Sequence, residues 1–232
     1  MLDFIRKKFV FEILDQGLPK EIGAAKPYHL KTVQDCAVFG LVAGLEGASI
    51  AEIGGGDSRL IRKLARKNQC VNVEKFQGAD NGPDRPVRIR GVKTVEAFLG
   101  EFSERLQKDQ FDAVFSVSVV EHVATDKLDA FFEDGMRILK SGGLWAHAID
   151  MYVGSAPTPA NRKRLEVFQR WADFAGKTEP VGDIFTGEPV FAPDMASNPD
   201  NVMHAWGVFT PSLIELRERA QCVSLLLAAR KR

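Results

Sequence analysis

This chain is poor in the residues that build covalent or metal-stapled scaffolds. Its cysteines are Cys36, Cys70 and Cys222, odd in number and widely separated. They form neither a disulfide framework nor a metal-ligand spacing, so buried thiols in a reducing compartment are expected. Net charge is also missing: Lys+Arg and Asp+Glu both number 31. A neutral balance argues against a general nucleic-acid binder. No apolar run is long enough to span a bilayer. Asp3, Arg6, Lys7, Lys8 and Glu12 interrupt the first apolar residues, so the layout of a signal peptide is absent too, and a soluble, cytoplasmic protein is expected. There is no internal repeat and no low-complexity tract. What is present is an apolar fraction of 45% over 232 residues, enough for a sizeable core in one domain.

The most informative stretch is Ser49-Ile50-Ala51-Glu52-Ile53-Gly54-Gly55-Gly56-Asp57-Ser58-Arg59. An apolar run carrying an acid meets three glycines, and a polar pair then opens a segment of helical spacing. That is a strand, a tight turn and a helix start. Glycine allows positive φ and close approach of a ligand, and a helix N-terminus offers free N–H groups. A phosphate-binding P-loop would need Gly-Lys-Ser/Thr, but Asp57 follows Gly56. A dinucleotide fingerprint needs a third glycine where Arg59 stands. The pattern that fits is acid-x-Gly-x-Gly-x-Ser, as Glu52, Gly54, Gly56 and Ser58.

Strand and helix patterns alternate from there. Strands are expected at Ile50–Ile53, Cys70–Val73, Lys93–Leu99, Phe111–Val120, Leu144–Ile149 and Cys222–Ala229. Helices are expected over 2–14, 29–45, Arg59–Lys67, Leu128–Leu139, Asn161–Gly176 and Leu213–Ala220. Residues 77–86 read as loop. Repeated β-α-β units imply an α/β, doubly wound, mostly parallel sheet with helices on both faces. Residues 1–48 form an N-terminal helical segment packed on the core, and 49–150 the α/β core. A proline- and aromatic-rich insertion or lid spans 151–211, and 212–232 returns as a final helix and strand. Within 2–14 the basic amphipathic pattern also admits peripheral membrane contact.

Ligands of open α/β sheets bind at the carboxyl ends of strands. Here those ends carry Gly54–Ser58, Glu74, Glu101-Phe102 and Ser116-Val117-Ser118. The first motif, the run Phe111–Val123 with its Glu121-His122-Val123 close, and Arg137–Leu144 together resemble the class I S-adenosylmethionine-dependent methyltransferases of the broad small-molecule (type 11) group, over roughly residues 49–150. The resemblance implies a Rossmann-like sheet of about seven strands and S-adenosyl-L-methionine as cofactor, with S-adenosyl-L-homocysteine as product. It implies that Glu52, Gly54, Gly55, Gly56 and Ser58 shape the methionine pocket. Glu74, with Lys75 beside it, would hold the ribose hydroxyls. Glu101 and Phe102 would face adenine, and Ser116 and Val117 would lie by the sulfonium. Glu101 departs from the commoner aspartate, and one C-terminal strand is evident where the family usually has two.

Methyl transfer needs a base only when the acceptor loses a proton. His147, His204 and His122 are the candidates; His122 is equally placed to cap a helix or pack under the site. Asp150, Tyr152 and Trp206 are the expected acceptor contacts. The expected acceptor is a small molecule or a glycan- or lipid-linked one, with no metal. The alternatives are an NAD-dependent oxidoreductase, or a non-catalytic binding protein on the same fold.

Overall fold

A computed structural model describes residues 1–75, 85, 87–174, 176–190 and 220–232. His204, Trp206 and nearly all of the helix expected over 213–220 lie outside the described residues, as does most of the 77–86 loop. The chain runs β1 (Leu2–Phe4), α1 (Lys7–Asp15), α2 (Leu18–Glu21), α3 (Leu30–Val42), β2 (Ser49–Ile53), α4 (Arg59–Leu64), β3 (Gln69–Glu74) and β4 (Val92–Glu96). It continues with β5 (Phe111–Val117), α5 (Leu128–Ile138), β6 (Leu139–Val153), α6 (Pro159–Ala172), β7 (Thr178–Pro180) and β8 (Gln221–Lys231). Among the described residues no helix is long and apolar enough to cross a membrane.

The strands form one sheet of order β1-β8-β6-β5-β2-β3-β4, with β7 also on β8. Strands β2 to β6 are parallel neighbours, and β8 runs antiparallel to β6. The sheet reverses its order between β2 and β5, so their carboxyl ends open a crevice at the switch point.

Alternation explains why the near-continuous apolar runs of the central strands are buried on both faces. In β5, Phe111 and Val114 join one core cluster, while Ala113, Phe115 and Val117 join the other. The first cluster lies under α5 and α6, with Phe131, Phe132, Trp145, Phe168 and Trp171 at its centre. The second lies under α1, α3 and α4. Gly135 of α5 makes room for Trp145: a Cβ there would land on the indole ring.

Two elements differ from the sequence expectation. The chain starts as a strand, with Leu2 opposite Leu227 and Phe4 opposite Leu225, and helix begins only at Lys7. The outer edge of β8 is thus covered by β1 and, further along, by β7, where Thr178 lies opposite Lys231. Second, Ser141-Gly142-Gly143 does not separate helix from strand; β6 starts at Leu139, and its register on β5 shifts between Phe111 and Ala113 to absorb them. Gly142 takes φ 77°, which glycine accepts without strain.

Candidate functional site

A cleft of about 470 Å³ opens at the carboxyl ends of β2, β3 and β5. Its floor at the β2 end is Gly54-Gly55-Gly56. Gly54 (φ 64°) and Gly56 (φ 52°) are left-handed. A Cβ on Gly54 would lie 2.8 Å from Val119 Cγ2, and one on Gly55 would lie 2.6 Å from Glu52 Cδ. The turn therefore sits directly on the Glu52 side chain. Asn72 of β3 pins it: Gly55 N donates to Asn72 Oδ1 (3.2 Å), and Asn72 Nδ2 donates to the Gly56 carbonyl (3.1 Å).

Glu52 is buried beneath this turn and does not line the cleft. Burial pushes its carboxyl up to about 8, against the lowering influence of the Ser58 hydroxyl and of Lys31. Ser58 caps α4, its Oγ accepting from the N–H groups of Leu60 and Ile61. Arg59 pairs with Asp35 of α3, Nε to Oδ2 at 3.0 Å.

At the β3 end, Glu74 and Lys75 line the cleft. Glu74 is largely buried and accepts the Lys75 backbone N–H at 2.9 Å. Glu101 and Phe102 do not line this cleft. β4 stops at Glu96, so Ala97-Phe98-Leu99 follow the strand end and form the wall. Gly100 (φ 101°) and Phe102 (φ 52°) then turn the chain away. The buried Asp134 carboxylate accepts both their N–H groups, at 2.9 and 3.0 Å. Phe102 is left exposed. Glu101 lies on a neighbouring depression with Glu96 and Arg105.

At the β5 end, Val117, Ser118 and Val119 line the cleft, as do His122 and Phe131. Ser118 has φ 54°, a conformation L-residues rarely adopt. Its Oγ donates to Gln34 Oε1 (3.1 Å), and Gln34 Nε2 in turn donates to Asp150 and to Ser224 Oγ (3.0 Å). Asp150 is thus linked to the cleft through Gln34. His122 sits beside Glu121, Nε2 to Oε1 at 3.8 Å. Burial, and then Asp150, push the Glu121 carboxyl up to about 8.

Ser116 and His147 lie elsewhere. They pair across β5 and β6 and face the α5 side, where both are fully buried. Burial pushes the imidazole down to about 3, so it stays neutral at any ordinary pH. Phe131, Phe132 and Trp145 surround it. The expectation of His147 at the acceptor and Ser116 by the sulfonium is corrected by strand parity: their neighbours Val117 and Ala148 face the opposite side of the sheet. Tyr152 is half-buried against the α3 face, and its carbonyl accepts from Asn161 Nδ2 at 3.0 Å. It does not line the cleft.

Sequence reasoning missed Lys31, Asn72, Phe98 and Val119. The polar Asn72 inside an apolar strand was a visible signal. Lys31 carried none, since helix-to-strand-end proximity is purely tertiary.

The model of a family described as a methyltransferase domain matches residues 51–146. No curated protein sequence matches the chain. Among solved structures, geranyl diphosphate C-methyltransferase from Streptomyces coelicolor A3(2), with S-adenosyl-L-homocysteine bound, is 15% identical. That match covers 84% of this chain and 76% of the other, with TM-score 0.51. Phosphoethanolamine N-methyltransferase 2 from Haemonchus contortus, in complex with S-adenosyl-L-methionine, is 17% identical, covering 85% of this chain and 52% of that one, with TM-score 0.52. At such identities the likeness is one of fold, and the fold is the Rossmann-like one of these enzymes.

Proposed function

We propose that this chain, whose residues 51–146 match the model of a methyltransferase domain, transfers a methyl group from S-adenosyl-L-methionine to a small-molecule or glycan- or lipid-linked acceptor. The observation that carries the reading is the convergence on one cleft of the Gly54–Gly56 turn, the Glu74 carboxylate and the Val117–Val119 strand end. The cleft fits the cofactor. Glu74 offers carboxylate oxygens for a ribose diol, Phe98 and Val87 are apolar wall for a purine, and the side-chain-free glycine turn lets an amino-acid moiety approach the backbone.

The cofactor supplies a methyl group already activated on a sulfonium. The protein's part is then largely positioning. Ser118 and His122 stand at the β5 side of the cleft and are the groups we assign to the acceptor. The Ser118 proton is committed to Gln34, so its oxygen is oriented to accept a hydrogen bond from an acceptor O–H or N–H. His122 takes a proton where the acceptor must lose one, and Glu121 lies beside it, Nε2 to Oε1 at 3.8 Å. His147 has no access to that proton. Within the region 151–211, expected as an insertion or lid, α6 packs on the first core cluster and β7 pairs with β8, while His204 and Trp206 lie outside the described residues. The acceptors named for the neighbours, geranyl diphosphate and phosphoethanolamine, support a small-molecule acceptor.

Calorimetric titration with S-adenosyl-L-homocysteine tests the reading. Saturable binding is expected, and no binding by folded protein at millimolar ligand would refute it.

A further inference from the structure

Lys31 stands at the start of α3, and its Nζ reaches the end of β5 to donate to the Val117 carbonyl at 2.9 Å. It lines the same cleft as Gly54–Gly56. The other Lys and His side chains of that lining are placed differently. Lys75 lies at the β3 end, its Nζ 5.6 Å from the Phe98 ring centre. His122 lies after β5. At the β5 end of the cleft, then, one ammonium and one strand-end carbonyl stand side by side.

The charge of that ammonium is not consumed by its surroundings. Asp35 feels Lys31 too, but its ion-pair partner is Arg59, at 3.0 Å, and burial raises its pKa. Glu52 and Glu121 also feel Lys31, but burial favours the neutral form of both. Among the described residues Lys31 makes no ion pair, and the Val117 carbonyl uses one of its three N–H donors.

An α-amino-acid zwitterion has the complementary pair of groups, an ammonium for a carbonyl and a carboxylate for a lysine. We infer that Lys31 anchors the carboxylate of the cofactor's amino-acid portion, beside the Val117 carbonyl, which accepts from its ammonium. The assignment rests on the methyltransferase reading and names the residue that makes the site select the whole cofactor over its adenosine half.

Two ligands separate the two halves. S-adenosyl-L-homocysteine carries the zwitterion, whereas 5′-methylthioadenosine keeps adenosine and thioether but lacks it. Both are titrated calorimetrically into wild type, Lys31→Met and Lys31→Arg. Wild type is expected to prefer S-adenosyl-L-homocysteine. Lys31→Met should lose about tenfold or more in affinity for it, the usual worth of a charge-assisted hydrogen bond, and hold 5′-methylthioadenosine within about twofold. Lys31→Arg should restore most of the loss. Retained 5′-methylthioadenosine binding reports that the variant is folded; if Lys31→Met does not fold, Lys31→Gln takes its place. Unchanged S-adenosyl-L-homocysteine affinity, or equal loss for both ligands, overturns the assignment. Failure of wild type to bind either ligand overturns the methyltransferase reading, and this assignment with it.

Discussion

Ser116 Oγ and His147 Nδ1 lie 2.6 Å apart inside the sheet, and neither side chain reaches the cleft. The pair looks in sequence like a strand-end serine and a strand histidine at a ligand site. Parallel register places the two side by side, on the face that α5 covers. The remaining ring nitrogen, Nε2, is buried without a hydrogen-bond partner among the described residues.

This burial makes His147 an acid-sensitive element of the fold. Its native pKa is pushed down from 6.5 to about 3, so below pH 6.5 the unfolded chain binds a proton that the native chain refuses. The stability it allows is full above pH 6.5 and is lost as pH falls toward 3, at about 1.4 kcal/mol per pH unit from this group. Glu52, raised to about 8, acts oppositely: its contribution is full below 4.5 and lost as pH rises through 8. Urea unfolding of wild type and His147→Phe at a series of pH values checks the claim. The variant should lack the part of the acid slope due to His147; identical slopes would contradict it.

Gly135→Ala should destabilise the fold even though alanine is the better helix former. The added methyl meets the Trp145 ring, which is itself fully buried. Overpacking of this kind costs about 1–3 kcal/mol, more than the roughly 0.5–1 kcal/mol that replacing a helical glycine returns. Denaturant midpoints of Gly135→Ala and of Gly135→Ala with Trp145→Phe measure it, the second variant recovering part of the loss. A midpoint raised by Gly135→Ala alone would show that the core gives way more easily than this packing implies.

Glu74→Gln should weaken S-adenosyl-L-homocysteine by about tenfold or more with the thermal midpoint nearly unchanged. The side chain lies at the cleft, and apart from the Lys75 N–H no hydrogen bond depends on it among the described residues. Charge-assisted bonds to a diol are worth about 1.5–3 kcal/mol each before solvent compensation. Wild-type affinity in the variant removes Glu74 from the ribose.

Gly54→Val should be harsher. The position has φ 64°, and a Cβ there lies 2.8 Å from Val119 Cγ2. A branched residue in that backbone region is a steric outlier, and it also pushes on the β5 side of the cleft. Cofactor binding is expected to be lost. Trimming the neighbour with Val119→Ala relieves the contact but not the dihedral, so it should recover only a minor part. Full recovery in the double variant would assign the whole effect to the contact.

Local chemistry made much of this protein legible. The alternation of apolar runs and amphipathic segments announces a parallel α/β sheet, and Gly54–Gly56 marks its strand-to-helix turn, because φ and turn geometry depend on adjacent residues alone. Glu74 was readable for the same reason: it is the last residue of an apolar strand, and strand ends are where such sheets bind ligands. Tertiary structure decided the rest. Which of Ser116, Val117 and His147 meets the cleft depends on parity, which flips with one residue of register and is set by pairing between β5 and β6. Phe98 rather than Phe102 forms the wall because β4 ends at Glu96 and Asp134, from a distant helix, holds the next turn. Lys31 reaches Val117 across 86 positions of chain. The edge of β8 is closed by residues 2–4 because an unpaired strand edge takes whatever segment the fold brings beside it, and no local pattern in those three residues says so.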